Sequence, residues 1–457
     1  MTQCNLLRFL VAGTLFSAGC ALPTEPLSAD ELGSSVSALS PGLERQVRQL
    51  AADHGVTPLA SPPAQRPELV ELGRLLSFDK ILSGDRDISC MTCHHPSLGL
   101  GDGRSLSVGR GAVGLGPSRV HPEDEFIPRN APTTFNLAEL SVMFWDGRVA
   151  ETATGIVTPA GTQIDASMEA TFALGAPAAQ AMFPVTSRAE MRGFPNSVGN
   201  ELGQIDDADL PGIWSALMNR LGAIPEYVAL FEAAYPGTPF PTMTFAHAAN
   251  AIASFEIALL TLTNAPFDRF LAGESTLSTD ALLGARWFFT QGGCASCHNG
   301  PALTDQAHHN SGVRQLGPGK GNGVDGLDDF GRENVSGDIN DRYAFRTPPL
   351  RNVTLTGPWG HAGQFTSLTE LVDHYSDPSG ALHSYDGSAL EPLLQPTLLN
   401  TAAAIEATLD PALEGVHLNR AKVDDVVAFL ETLTDPAALD LTSLIPVTVP
   451  SGLPVAD

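Results

Sequence analysis

The stretches Cys90-Met91-Thr92-Cys93-His94 and Cys294-Ala295-Ser296-Cys297-His298 decide how this chain is read. Both spell C-x-x-C-H, the attachment signature of c-type haem. The two cysteines add to the two haem vinyl groups, and the adjacent histidine supplies the proximal nitrogen to iron. Two intervening residues place both sulfurs and the imidazole on one tight turn. A single copy could as well be a thioredoxin-like redox pair or half of a zinc site. Two complete copies, 204 residues apart, argue against both. A zinc site of paired cysteines also wants its pairs roughly 15–20 residues apart. The sequence predicts a dihaem protein.

A length of 457 residues predicts two or three domains. Net charge is −26, and four haem propionates would deepen it. Nucleic acid is excluded as a partner, because phosphate binding needs a basic face. A basic or neutral protein partner is easier to accommodate.

Residues Phe9 to Gly19 form an apolar run behind Arg8, too short to span a bilayer and typical of a secretory signal. It ends Ser17-Ala18-Gly19-Cys20, which resembles a bacterial lipoprotein cleavage box with Ser17 in the usual leucine position. Lipidation of Cys20 is expected, with ordinary cleavage nearby as the alternative. Of six cysteines, Cys4 leaves with the signal and four hold haem, so only Cys20 remains. The predicted location is the periplasm, membrane-anchored through that lipid.

The expected division is a signal at 1–19, a tether and linker at 20–60, a first haem domain at 61–238, a second at 239–440 and a tail at 441–457. Pro67 to Phe78 carries Leu69, Leu72, Leu75 and Leu76 at helical spacing and leads to the first haem motif. Residues 160–182, rich in Ala, Thr and Met, read as an inserted excursion of unknown role. Phe245 to Leu262 is a buried helix capped by Thr244, and Ala281 to Thr290 leads to the second motif. Gly317 to Ile339 reads as a Gly/Asp-rich loop. Ser367 and Asn419 cap two further amphipathic helices. No convincing strand alternation is present. The expected fold is mostly α, two cytochrome c-like haem lobes with long loops.

Over roughly residues 66–437 the chain resembles the bacterial dihaem cytochrome c peroxidase/MauG superfamily. The motifs that carry the resemblance include Leu72-Gly-Arg-Leu-Leu-Ser-Phe-Asp79, Leu82-Ser-Gly-Asp85 and both haem sites. Arg129-Asn-Ala-Pro-Thr133, Phe144-Trp-Asp-Gly-Arg148, Glu190-Met191, Arg346-Thr-Pro-Pro-Leu-Arg-Asn-Val353 and His361-Ala-Gly363 complete the set. The resemblance implies a peroxide-reacting haem on His94 and a six-coordinate haem on His298, with a calcium ion and a tryptophan between them.

Branch assignment turns on the sixth ligands. Peroxidases that need reductive activation cap the first haem with a histidine about sixteen residues after the proximal one; here that position is Arg110. His121 is the nearest substitute, or else a solvated loop histidine. At the second haem, peroxidases usually use a methionine fourteen residues past the histidine of His-x-Gly. Here that residue is Tyr375, the residue type of MauG-like members, and no methionine follows Met243. The alternative is His374 as ligand with Tyr375 a core aromatic. The resemblance further implies Trp145 as the inter-haem tryptophan, Glu190 as a distal carboxylate and Pro159 as a distal-pocket proline. Asn130 with the carbonyls of Thr356 and Pro358 would hold calcium. Trp287 is a further surface relay or a buried helix tryptophan.

The expected function is MauG-type: peroxide oxidises a residue of a partner protein through a doubly oxidised dihaem state. The rivals are a peroxidase fed by a small redox protein and a non-enzymatic electron carrier.

Overall fold

The two haem motifs sit in two copies of one packing scheme. In the computed structural model, which describes residues 29–123 and 125–456 with side chains from Pro41 onward, α1 (Pro67–Phe78) runs toward the first motif. Four later helices build around it, α2 (Gly175–Gln180), α3 (Leu210–Gly222), α4 (Pro225–Ala234) and α5 (Phe245–Leu260). Toward the second motif runs α6 (Thr279–Phe289), followed by α7 (Leu368–His374) and α8 (Arg420–Glu431). The protein is mostly α, as the sequence predicts.

Each scheme is a helix pair crossing at a glycine. A Cβ on Gly73 of α1 would lie 1.8 Å from the carbonyl oxygen of Ala251 on α5. A Cβ on Gly284 of α6 would lie 1.8 Å from the carbonyl oxygen of Asp425 on α8. Only a residue without a side chain permits backbones to meet so closely. Around the first crossing pack Leu72, Leu76, Ala249, Ile252 and Trp214. Around the second, Phe429 meets Phe267 at 5.0 Å and Phe288 at 5.1 Å between ring centroids.

Local chemistry sets where these helices begin. Pro67 opens α1 with its φ already helical. Thr244 and His247 form a reciprocal cap on α5. Ser278 accepts from the Ala281 amide at 3.2 Å, and Asn419 from the Lys422 amide at 3.1 Å.

Four expectations change. α5 lies beyond the expected boundary at 238/239, yet it buries its apolar surface against α1 of the first lobe. The segment 160–182 is core at its second end and exposed over most of 161–171: Ala176, Ala178 and Ala179 of α2 are fully buried, small enough to let α2 lie close on α5. Within the tether and linker expected at 20–60, the sequence predicts a short helix from Leu43 to His54; the helix is there but longer, Ala29–Asp53, and its Val47 and Ala51 pack in the second lobe's core. A small antiparallel sheet exists, β1 (Val142–Met143), β2 (Val149–Thr152) and β3 (Gly155–Val157), too short for alternation to show. The signal, Cys4 and Cys20 lie outside the described residues. Among the described residues, no helix is long and apolar enough to cross a membrane.

Candidate haem sites

Two cavities open beside the two motifs. Cys90, Cys93 and His94 line the first; Cys294, Cys297 and His298 line the second. None of these four cysteines is in a disulfide. The His94 Nδ1–H donates to the Leu100 carbonyl at 3.2 Å, and the His298 Nδ1–H to the Leu303 carbonyl at 2.9 Å. With the proton on Nδ1, Nε2 of each ring is the nitrogen that can ligate iron. Burial lowers the pKa of both rings, which favours their neutral, ligating form. The residues present fit a haem in each cavity.

The cavities share one wall. Asn130, Pro132, Thr133, Trp145 and Arg346 line both. Trp145 is pinned there: its Nε1–H donates to the Asn130 carbonyl at 2.9 Å, and its own carbonyl accepts from the Arg346 amide at 2.7 Å. Behind the wall Arg129 holds Asp146 at 2.6 Å and both oxygens of Asp329 at 2.7 and 2.9 Å. Arg129, Arg148 and two hydrogen bonds outweigh burial and draw Asp146 down to about 2. Arg346, by contrast, meets no carboxylate within ion-pair distance among the described residues, and burial brings it down to about 10.

Glu190 reaches the first cavity from a single π-helical turn, Arg188–Arg192. Such turns carry a widened backbone and recur at functional sites. The turn is braced by Gly84 N–H donating to the Met191 carbonyl at 2.7 Å. Burial raises the Glu190 pKa, with Arg148 and Lys320 opposing. Pro159 is exposed and lies off the cavity; the prolines that line the cavity are Pro128, Pro132 and Pro184.

Tyr375 lines the second cavity just past the end of α7, and burial pushes its phenol up to about 12. His374 is turned away: its Nε2–H donates to the Ser311 carbonyl at 2.8 Å, and it does not line the cavity. His121 is buried elsewhere, its Nδ1 accepting from the amides of Glu123 and Glu125 at 3.1 and 3.3 Å. Arg110 pairs with Asp85 at 2.7 Å and lies off the first cavity. Asn130, Thr356 and Pro358 all line the second cavity. Trp287 is half-buried outside it, with Arg286 4.1 Å and Lys422 4.7 Å from its ring.

Three lining residues escape the sequence reading. Lys320 comes into the first cavity from the Gly/Asp-rich loop, which carries no local signal for it. His309, at the second, is held between Asp410 at 2.5 Å and Asp305 at 3.0 Å. Glu256 faces the first cavity from α5, and a lone acid in Ala-Ile-Ala-Ser-Phe-Glu256 was the available cue.

Comparison with known proteins agrees with this geometry. Residues 67–276 match the family model for di-haem cytochrome c peroxidase. The methylamine utilization protein MauG of Methylorubrum extorquens is 32% identical over 383 residues, covering 83% of this chain and 82% of that one. The chain belongs to the dihaem cytochrome c peroxidase/MauG family. The cytochrome c551 peroxidase of Pseudomonas aeruginosa, another relative, is 31% identical over 345 residues, 75% of this chain and 79% of that protein. Among solved structures, a MauG-like protein associated with microbial copper homeostasis superposes with a TM-score of 0.58 at 23% identity, covering 84% of this chain and 96% of that one. The Y463M variant of the diheme peroxidase BthA from Burkholderia thailandensis gives 0.56 at 20%, covering 82% and 88%. As a family member the chain is a haem-dependent oxidoreductase of peroxidase type, with hydrogen peroxide as oxidant.

Proposed function

We propose that this family member is of the MauG type, using peroxide to oxidise a residue of a partner protein. One observation carries the reading: Tyr375 lines the second cavity, His374 is turned away from it, and the sequence has no methionine after Met243. An anionic oxygen ligand favours ferric and higher states over ferrous, whereas thioether sulfur raises the potential.

When bound, each haem supplies an iron that exchanges electrons with peroxide or with its neighbour. Cys90, Cys93, Cys294 and Cys297 would hold the two haems covalently, and His94 and His298 would ligate them through Nε2. Tyr375 would supply an oxygen ligand to the second haem; burial raises its phenol to about 12, so the free side chain is protonated and would give up its proton only to a bound metal. Glu190 holds and returns a proton over the first cavity. Trp145, fixed in the shared wall, is the path between cavities. Asn130 commits Nδ2 to the Arg104 carbonyl at 2.7 Å, leaving Oδ1 for calcium alongside the Thr356 and Pro358 carbonyls, an all-oxygen set that suits the ion. The protein faces the periplasm, anchored through a lipid on Cys20.

Peroxide added to the fully ferric holoprotein tests the reading, with Mössbauer spectra as the readout. Both irons should change without prior reduction. Tyr375→His should load both haems yet fail to hold both oxidising equivalents or oxidise a partner. A ferric protein inert to peroxide until one haem is reduced would assign the conventional peroxidase instead.

A further inference from the structure

Thirteen residues of α5 are buried, and Glu256 is the one ionisable group among them. Its side chain lines the first cavity one turn from Ile252, beside Cys90. The residue is 6% exposed, and its Oε2 has no hydrogen-bond partner. No basic group lies within ion-pair distance of it among the described residues. A buried carboxylate left so is costly, and the group answers by keeping its proton.

The surroundings give it no counter-charge. On α1, Arg74 holds Glu71 at 2.7 Å and donates to the Leu444 carbonyl, so that pair is satisfied elsewhere. α2 carries no ionisable residue, and His247 of α5 is spent capping Thr244. Cys90 is the charged or titratable neighbour that acts with Glu256, and a thioether would make it neutral. Burial alone pushes Glu256 up to about 8. Glu190, Arg148 and Lys320 line the same cavity and act on one another.

We propose that Glu256 is a redox-linked proton-holding group of the first haem cavity. The proposal rests on that cavity holding a haem. One-electron oxidation of a haem held in that cavity, at an electrode, would add one positive charge to the site. Glu256 then releases one proton to solvent, COOH becoming COO⁻, and the net charge of the enclosed site is restored. Re-reduction by one electron takes one proton back. In a medium of low dielectric constant, such cancellation stabilises both oxidation states.

Spectroelectrochemical titration of the first haem in the intact holoprotein, from about pH 6 to about pH 9, is the test. In wild type the midpoint potential should fall with pH, approaching one proton per electron. Glu256→Gln, always neutral, should hold the wild-type low-pH value throughout, with less than half the wild-type slope. Redox-difference infrared spectra of wild type should show loss of a protonated-carboxyl C=O band on oxidation. That band should persist in Glu190→Gln and vanish in Glu256→Gln. A wild-type slope retained in Glu256→Gln overturns the proposal. If that variant does not load haem, a wild-type spectrum without the carboxyl band does so. Absence of any haem couple from the first cavity would instead sink the underlying dihaem reading.

Discussion

Asp329→Ala should loosen the shared wall by removing a buried partner from Arg129. Both carboxylate oxygens of Asp329 accept from Arg129, at 2.7 and 2.9 Å, and both side chains are 6% exposed. Breaking a buried pair by deleting one partner costs about 3–5 kcal/mol, because the other charge stays behind. Arg129 would keep Asp146 at 2.6 Å, but Asp146 also serves Arg148 at 3.0 Å. Two cations on one carboxylate only partly offset the loss, so ~3 kcal/mol is expected. Asp329 also accepts from the Gly331 amide at 2.9 Å, so the loop that carries Lys320 loses a tether. Against a whole-protein stability of about 5–15 kcal/mol, this is large. Urea unfolding of the haem-loaded protein, followed by circular dichroism, should show a lower midpoint at unchanged slope. The companion variant Arg129→Met/Asp329→Leu, which removes both charges, should recover a good part of the loss. A cost below about 1 kcal/mol for Asp329→Ala, or a double variant no better than the single, would refute the reasoning.

Acid should act through Asp146. Its folded pKa of about 2 lies below the ordinary 3.8, so its stabilisation is present above pH 3.8 and lost as pH falls through about 2. The expected contribution is about 2 kcal/mol, and Asp146→Asn should flatten that part of the acid-unfolding curve. Gly284→Ala sets a methyl against the Asp425 carbonyl and should lower stability by about 1–3 kcal/mol or more, with the second haem's spectrum changing before the first's in thermal scans. Glu190→Gln should slow peroxide turnover by roughly 10²–10⁴-fold while both ferric haem spectra stay as in wild type.

Much of the site was legible because it is written in short motifs. The C-x-x-C-H turns, the helices leading to them and the caps at Thr244, Ser367 and Asn419 are set by neighbours within a few residues. Tyr375 is singled out by the family resemblance, which places a ligand fourteen residues past His361, whereas the residues alone leave His374 equally open; Tyr375 lines the cavity just past the end of α7. What was misread depends on distant parts of the chain. α5 is apolar on most faces, so its pattern announces burial without saying which lobe receives it. The alanines of α2 give no amphipathic stripe, so their sequence reads as an excursion, although close packing is what such small residues permit. Lys320 belongs to a loop whose fold is set by backbone bonds to Asp328, and nothing local ties it to a cavity built mainly by the other half of the chain.

The single wall between the cavities also constrains how this protein can change over evolutionary time. Trp145 and Arg346 each face both sites, so a substitution at either is a simultaneous edit of two centres. Selection for a better first centre would be vetoed there whenever the second suffers. Divergence within the lineage should therefore accumulate on the outer walls, at positions such as Glu256 and Lys320 on one side and Tyr375 and His309 on the other. Those are the positions from which the two centres can drift apart in chemistry while the partition that joins them stays as it is.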